Sequence, residues 1–294
     1  MNWKFKPTAC LEGKKAKPII LNLVSPRASG VSTLLLLLKK LYGPGFLALD
    51  CSKVCDEHKE LGTPIGSQLL GHEDKRVDGD FYPDDLTVRA LQEKIGWEMR
   101  SHMGAQTFCI GIAGGIRTLP QYAMWQNNGY EIYVTHVHAS LREVFEGVER
   151  RKKQGVRRKD SRPTAVLASY KKYHQSVVPF VDAVPHSHRL KLDKALPPVE
   201  KLSAIIDFLD VPVKEGVIQA FSSPRHPVRL DAIELAQKVS EPVKLNQESE
   251  YLIRQHEVKM KVPDITTPAT CTSMHLTEAF VSSFLDRRVQ HVRA

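Results

Sequence analysis

Nine residues, Ser25-Pro26-Arg27-Ala28-Ser29-Gly30-Val31-Ser32-Thr33, are of the types and spacing that hold phosphate. They follow the apolar run IILNLV and lead into LLLLLKKL, so the chain reads here as a buried strand, a tight glycine-containing loop and a helix. In the phosphate-loop template G-x-x-x-x-G-K-[ST], backbone N–H groups wrap the phosphates, a lysine neutralises the outer ones and a hydroxyl binds magnesium. Ser25 stands at the first glycine position, Gly30 keeps the second, Val31 replaces the lysine and Ser32 follows. Arg27 lies within the loop, while Ser29, Gly30, Ser32 and Thr33 offer a turn and hydroxyls at the head of a helix, where anions bind readily. By themselves these residues leave two readings open: a phosphate loop altered at its lysine, or a strand-to-helix turn that contains a glycine.

A loop of this kind needs a sheet to hold it. Between Pro18 and about Leu209 the runs PIILNLV, FLALD, TFCIGIAG, YEIYVTHV and HRLKLD read as strands, separated by amphipathic helical stretches. That alternation predicts an α/β domain, a doubly wound parallel sheet covered by helices on both faces. Residues 1–17 form a basic leader, and 210–294 a C-terminal extension of different character. In the extension prolines recur, apolar residues thin out, and only DAIELAQKV and LTEAFVSSFLDRRV read as helices. A tail so composed buries little of its own surface, and docking on a partner is expected to order it.

Four segments, in order, give residues 18–209 a resemblance to the adenylate kinase and nucleoside monophosphate kinase family. SPRASGVST aligns without gaps on that family's GPPGSGKGT; GDFYPDDLTVRAL resembles G-x-x-V-P-D-x-x-x-x-x-L. FCIGIAGGIRTLPQY resembles F-L-I-D-G-F-P-R-T-x-x-Q-A, and RKDSRPTAVLASYKKYHQSVVPFVD resembles R-x-D-D-N-x-x-T-x-x-x-R-L-x-x-Y-x-x-x-T-x-P-L-I-D. The resemblance implies a monophosphate-binding insertion near residues 50–80 and a short lid near 150–162. It also implies that Arg117 meets a monophosphate, Gln121 its base and Arg158 the transferring phosphates, with Asp160 keeping one lid acid. Each of these has a plainer role open to it: an ion pair at the sheet edge for Arg117, a polar helix start for Gln121, a local pair for Arg158 and Asp160.

The match fails where the charges should be. Val31 stands for the loop lysine, Asp56 for an arginine of the monophosphate-binding helix, Ala113 for the aspartate ending a strand, Ser161 for the second lid aspartate and Ser169 for the arginine after the lid. Phosphoryl transfer depends on fixed cations, and losing one such donor typically costs about a hundred- to a thousandfold in rate. The expectation is a degenerate member of the family, catalytically weak or inert, that requires no cofactor and has ATP or ADP with magnesium as its optional ligand. Two alternatives stand beside it: an active kinase using Arg27, Arg117 and Arg158, or a nucleotide-binding regulatory module without transfer.

A net charge of +9 over 294 residues favours an acidic partner. The densest basic run, ERRKKQGVRRKDSR, falls on the lid and has no interleaved aromatics of the kind that stack single-stranded nucleic acid. A structural or interaction subunit of a large assembly is therefore expected, either ciliary and microtubule-associated, on tubulin or axonemal proteins, or ribosome-like, on ribosomal RNA and proteins. The expected location is cytoplasmic, ciliary or cytoskeletal, with mitochondrial import left open by the basic leader. No apolar run approaches the roughly 20 residues that cross a bilayer, so no membrane partner is expected. Five scattered cysteines suggest thiols in a reducing compartment. The histidine pairs of THVHAS and PHSHR lack carboxylates at ligand spacing and are not read as a metal site; Cys109, within a strand, reads as packing.

Overall fold

Parallel strands covered on both faces need nearly unbroken apolar runs. The computed structural model describes residues 17–74, 81–101, 107–153, 162–209 and 243–261. In it the five expected runs form β1 (Ile19–Val24), β2 (Phe46–Asp50), β3 (Cys109–Ala113), β4 (Ile132–His138) and β5 (Arg189–Asp193). All pair in parallel, in the order β2-β3-β1-β4-β5. Burial follows that order: β3 is buried throughout and β1 at all but its first residue, whereas the edge strand β5 buries only Leu192.

Among the described residues these strands are flanked by the helices α1 (Val31–Tyr42), α2 (Cys51–Glu60), α3 (Pro64–Leu70), α4 (Asp84–Ser101), α5 (Leu119–Asn127), α6 (Leu141–Lys153), α7 (Pro163–Ala183) and α8 (Pro198–Leu209). Alternate side chains of a strand leave opposite faces of the sheet, which gives the domain two cores. Leu21 and Leu23 of β1 pack with Leu34 and Leu38 of α1 and with Leu202 and Ile205 of α8. Ile20 and Val24 face the other way, into the core that holds Trp125 of α5 and Phe180 of α7. The five-leucine run of α1 obeys helical rather than sheet geometry, with four leucines buried and Leu36 turned to solvent at 56% exposure. The chain is thus an α/β protein with an all-parallel five-stranded sheet, compatible with a doubly wound fold.

Of the expected insertion near 50–80, α2 and α3 are described. Thr63 caps α3, accepting from Gly66 N at 3.0 Å, and buried His58 ties α2 to α4 through the Ala90 carbonyl at 3.0 Å. Residues 154–161 of the expected lid lie outside the described residues, and Arg158, Asp160 and Ser161 with them. So do residues 1–16 of the leader and both stretches of the extension read as helical.

The extension does contain a helix that the sequence reading did not foresee, α9 (Gln247–Lys261). Its apolar residues, Tyr251, Leu252, Ile253, Val258 and Met260, leave the positions three and four along from the first three to charged and polar residues, so no continuous amphipathic stripe announced it. The start signal was present instead: Asn246 precedes Glu248 and Glu250, and its side-chain oxygen accepts from Ser249 N at 2.8 Å.

Candidate functional site

Strand order fixes where a cleft can open. After β1 the chain passes β3 to reach β2, and after β3 it passes β1 to reach β4, so the two connections leave in opposite directions. In open parallel sheets, ligands bind beyond the carboxyl ends of strands at such a switch point. Here an open cleft of about 200 Å³ lies against the loop after β1, the end of β2 and the turn after β3.

The loop is held by its own side chains. Ser29 Oγ donates to the Pro26 carbonyl at 2.8 Å, and Ser25 Oγ to the same oxygen at 2.9 Å. Ala28 and Gly30 both have left-handed backbones, with φ of 62° and 88°. The second suits glycine; the first holds an alanine in a conformation that costs about 1–2 kcal/mol. Gly30 caps α1 without a side chain, and the first turn of α1 carries no acidic residue. The N–H groups that a helix start presents and the positive end of its dipole therefore favour an anion. Arg27, Ser29, Val31 and Ser32 line the cleft, while Thr33, in the first turn of α1, is not part of its described wall. Val31 also packs against the leucine core beneath α1, so the position of the template lysine presents a hydrocarbon branch.

Ser32 and the end of β2 form a pair that sequence reasoning missed. Ser32 Oγ donates to Asp50 Oδ2 at 2.8 Å, and Asp50 Oδ1 accepts from Ser52 Oγ at 2.7 Å and Ser52 N at 3.1 Å. Burial alone would raise the Asp50 carboxyl, but the bonds from Ser52, Ser32 and the Lys53 backbone outweigh it and hold the group below the ordinary carboxylate range. Asp50 is thus an ionised carboxylate in the cleft wall, and the strand register sets it beside Ala113. The sequence signal was slight: an aspartate two residues before a serine, at the junction of an apolar run and a helix.

Asp56 stands elsewhere. It is nearly half exposed, bonds Lys59 at 2.8 Å one turn along α2, and is not part of the described cleft wall, which α2 reaches through Cys51, Ser52 and Cys55.

The turn after β3 is fixed from below. Buried Asn22 of β1 donates to the Ile116 carbonyl at 2.7 Å and accepts from Ile116 N at 3.2 Å, and Gly114 N donates to the Leu23 carbonyl at 2.8 Å. These bonds aim Arg117 across the cleft, where its guanidinium lies over the Phe81 ring, 4.5 Å from the centroid. Gln121 reaches the cleft wall, but its Oε1 accepts from Arg117 N at 2.7 Å while its own N–H donates to Thr118 Oγ1 at 3.3 Å. Thr118-Leu119-Pro120-Gln121 is a variant of the capping box, so Gln121 is a helix-start residue first, with only its amide N–H groups left for a ligand.

Two further residues of the wall were missed, Arg151 of α6 and Tyr173 of α7; Ser169 of α7 lines it too. The Tyr173 hydroxyl is buried without a hydrogen-bond partner among the described residues, and burial first, then Tyr170, pushes its ionisation well up, so it stays a neutral donor. In all, three arginines, Arg27, Arg117 and Arg151, meet one carboxylate, Asp50, in the described wall. Such a balance attracts anions. No protein-family model and no curated protein matches the chain.

Proposed function

We propose that this chain is an adenylate kinase-like protein, degenerate at its phosphate loop, that holds a nucleotide's phosphates without efficient transfer. The observation that carries this reading is the composition of the cleft wall. Three arginines and the bare start of α1 favour phosphate, yet Val31 supplies a hydrocarbon where transfer needs a fixed cation, and Ala113 supplies no acid at the end of β3. The hydroxyl of Ser32 fits a magnesium-nucleotide ligand, as does the Asp50 carboxylate beside it. Magnesium there would screen charge between the phosphates; the protein's own part is to grip them with Arg27, Arg117 and Arg151 and to orient them over the head of α1.

With transfer impaired, the fold's surfaces become its working parts. The net charge of +9 and the run Arg150–Lys153 at the end of α6 support a role as a structural subunit on an acidic assembly. A ciliary or microtubule-associated particle and a ribosome-like one both offer such a surface, in the cytoplasm, a cilium or a mitochondrion. Among the described residues no helix is long and apolar enough to cross a membrane.

The purified chain tests both halves. Calorimetric titration with ATP and ADP is expected to show saturable binding, and sedimentation with microtubules or ribosomal particles is expected to show co-pelleting that weakens as salt rises. Absence of heat and of protection against unfolding at high nucleotide would refute the first half, and a chain that pellets with neither particle at low salt would refute the second.

A further inference from the structure

An aspartate side chain is out of place in a cleft built for phosphate unless something positive comes between them. Asp50 lies in the wall of that cleft, and its Oδ2 faces Ser32, in the first turn of the helix whose start favours an anion. From these positions we infer that Asp50 Oδ2 and Ser32 Oγ together form a divalent-cation site, which takes magnesium with the phosphates of a nucleoside di- or triphosphate. The inference rests on the nucleotide reading given above and adds to it a cation carried from the end of β2.

The chemistry of the pair suits the ion. Magnesium takes oxygen ligands, keeps several waters and is usually held by one or two carboxylates together with substrate phosphates. Asp50 Oδ1 is committed to the start of α2, accepting two bonds from Ser52, whereas Oδ2 accepts the Ser32 hydroxyl, and a carboxylate oxygen holding one such bond retains lone-pair capacity. The cap therefore orients one oxygen and leaves the other to the cleft. Register supplies the rest: Asp50 and Ala113 are partners on adjacent strands, so the carboxylate sits level with the end of β3, at the floor of the switch-point cleft. A neutral residue at Ala113 makes room for it, since two carboxylates at neighbouring positions would repel one another. The buried Tyr173 hydroxyl, also in the cleft wall, lacks a partner among the described residues and independently marks the cleft as made for a polar occupant.

The test is ADP binding measured by calorimetry with magnesium and again with a chelator, on the native chain and Asp50→Asn. Asparagine caps a helix as well as aspartate does, so Asp50→Asn removes the charge and spares α2. The native chain is expected to bind ADP about tenfold more tightly with magnesium, a coupling of ordinary size. Asp50→Asn should lose that ratio while matching or exceeding the native affinity in chelator. Electron paramagnetic resonance of manganese with ADP gives a direct second readout: the native chain should deplete the free-ion signal and Asp50→Asn should not. A full magnesium ratio in Asp50→Asn, or a native chain that binds ADP equally with and without the metal, would overturn the site and leave nucleotide binding standing. A native chain that binds ADP under neither condition would overturn both. Should Asp50→Asn prove unfolded by circular dichroism, Ser32→Ala takes its place, with a reduced ratio expected and an unchanged one contrary.

Discussion

His136 is buried at the end of β4, with neither ring nitrogen bonded among the described residues. Burial, then His138 and Lys191, push its pKa down to about 4; His174 adds to the effect and Asp182 opposes it, while the Tyr173 ring lies 5.9 Å away. The unfolded chain takes up this proton near pH 6.5 and the folded chain only near pH 4, so the unfolded state binds more protons between those values. Stability is therefore lost as pH falls from about 6.5 towards 4, by about 2 kcal/mol between pH 7 and pH 5 for this one group. Urea unfolding at the two pH values should show that loss in the native chain and a much smaller one in His136→Gln. Equal slopes would mean that other groups carry the acid sensitivity. At Arg117 the match to the family's monophosphate ligand was legible in sequence, but the Phe81 ring beneath it was not, since that contact spans 36 positions of chain.

At the scale of elements, α6 braces the candidate loop. A methyl group on Gly147 would lie 2.6 Å from the Ala28 carbonyl oxygen and 2.9 Å from the Ala28 Cβ, and both belong to a segment already held in a left-handed turn. Gly147→Ala should cost about 1–3 kcal/mol of stability, as overpacking against backbone does, and should weaken ADP binding because the loop must move. Denaturation and titration of the same variant check both; a neutral result in each would mean that the loop is not set by α6. The five strands were legible because parallel strands buried on two faces write themselves as apolar runs. The charges of the cleft were not. Asp50 reads in sequence as the last residue of FLALD, and nothing local says that β2 ends level with β3 or that its carboxylate meets Ser32, 18 residues earlier. Asp56, aligned with an arginine of the monophosphate-binding helix, pairs with Lys59 along α2, while Cys55 lines the described wall. Arg151 and Tyr173 come from α6 and α7, and only packing brings them to the loop after β1.

The chain as a whole combines an α/β sheet whose cleft favours anions with a net charge of +9, and on the proposed reading Val31 takes the place of the fixed lysine that would let such a cleft move a phosphoryl group quickly. Electrostatic attraction to an acidic assembly would survive that loss, because it depends on summed charge and not on the position of one amine. Transfer would not survive it, because a donor displaced from the transferring oxygen contributes little. The central claim is binding without efficient transfer, and turnover decides it. ADP formation from ATP and magnesium should be measured across a panel of nucleoside monophosphates, with the native chain and Val31→Lys side by side and ADP affinity determined for each. The expected result is saturable nucleotide binding by the native chain with turnover at the limit of detection for every monophosphate. Rapid turnover by the native chain on any of them would contradict the claim and show that Arg27, Arg117 or Arg151 does the lysine's work.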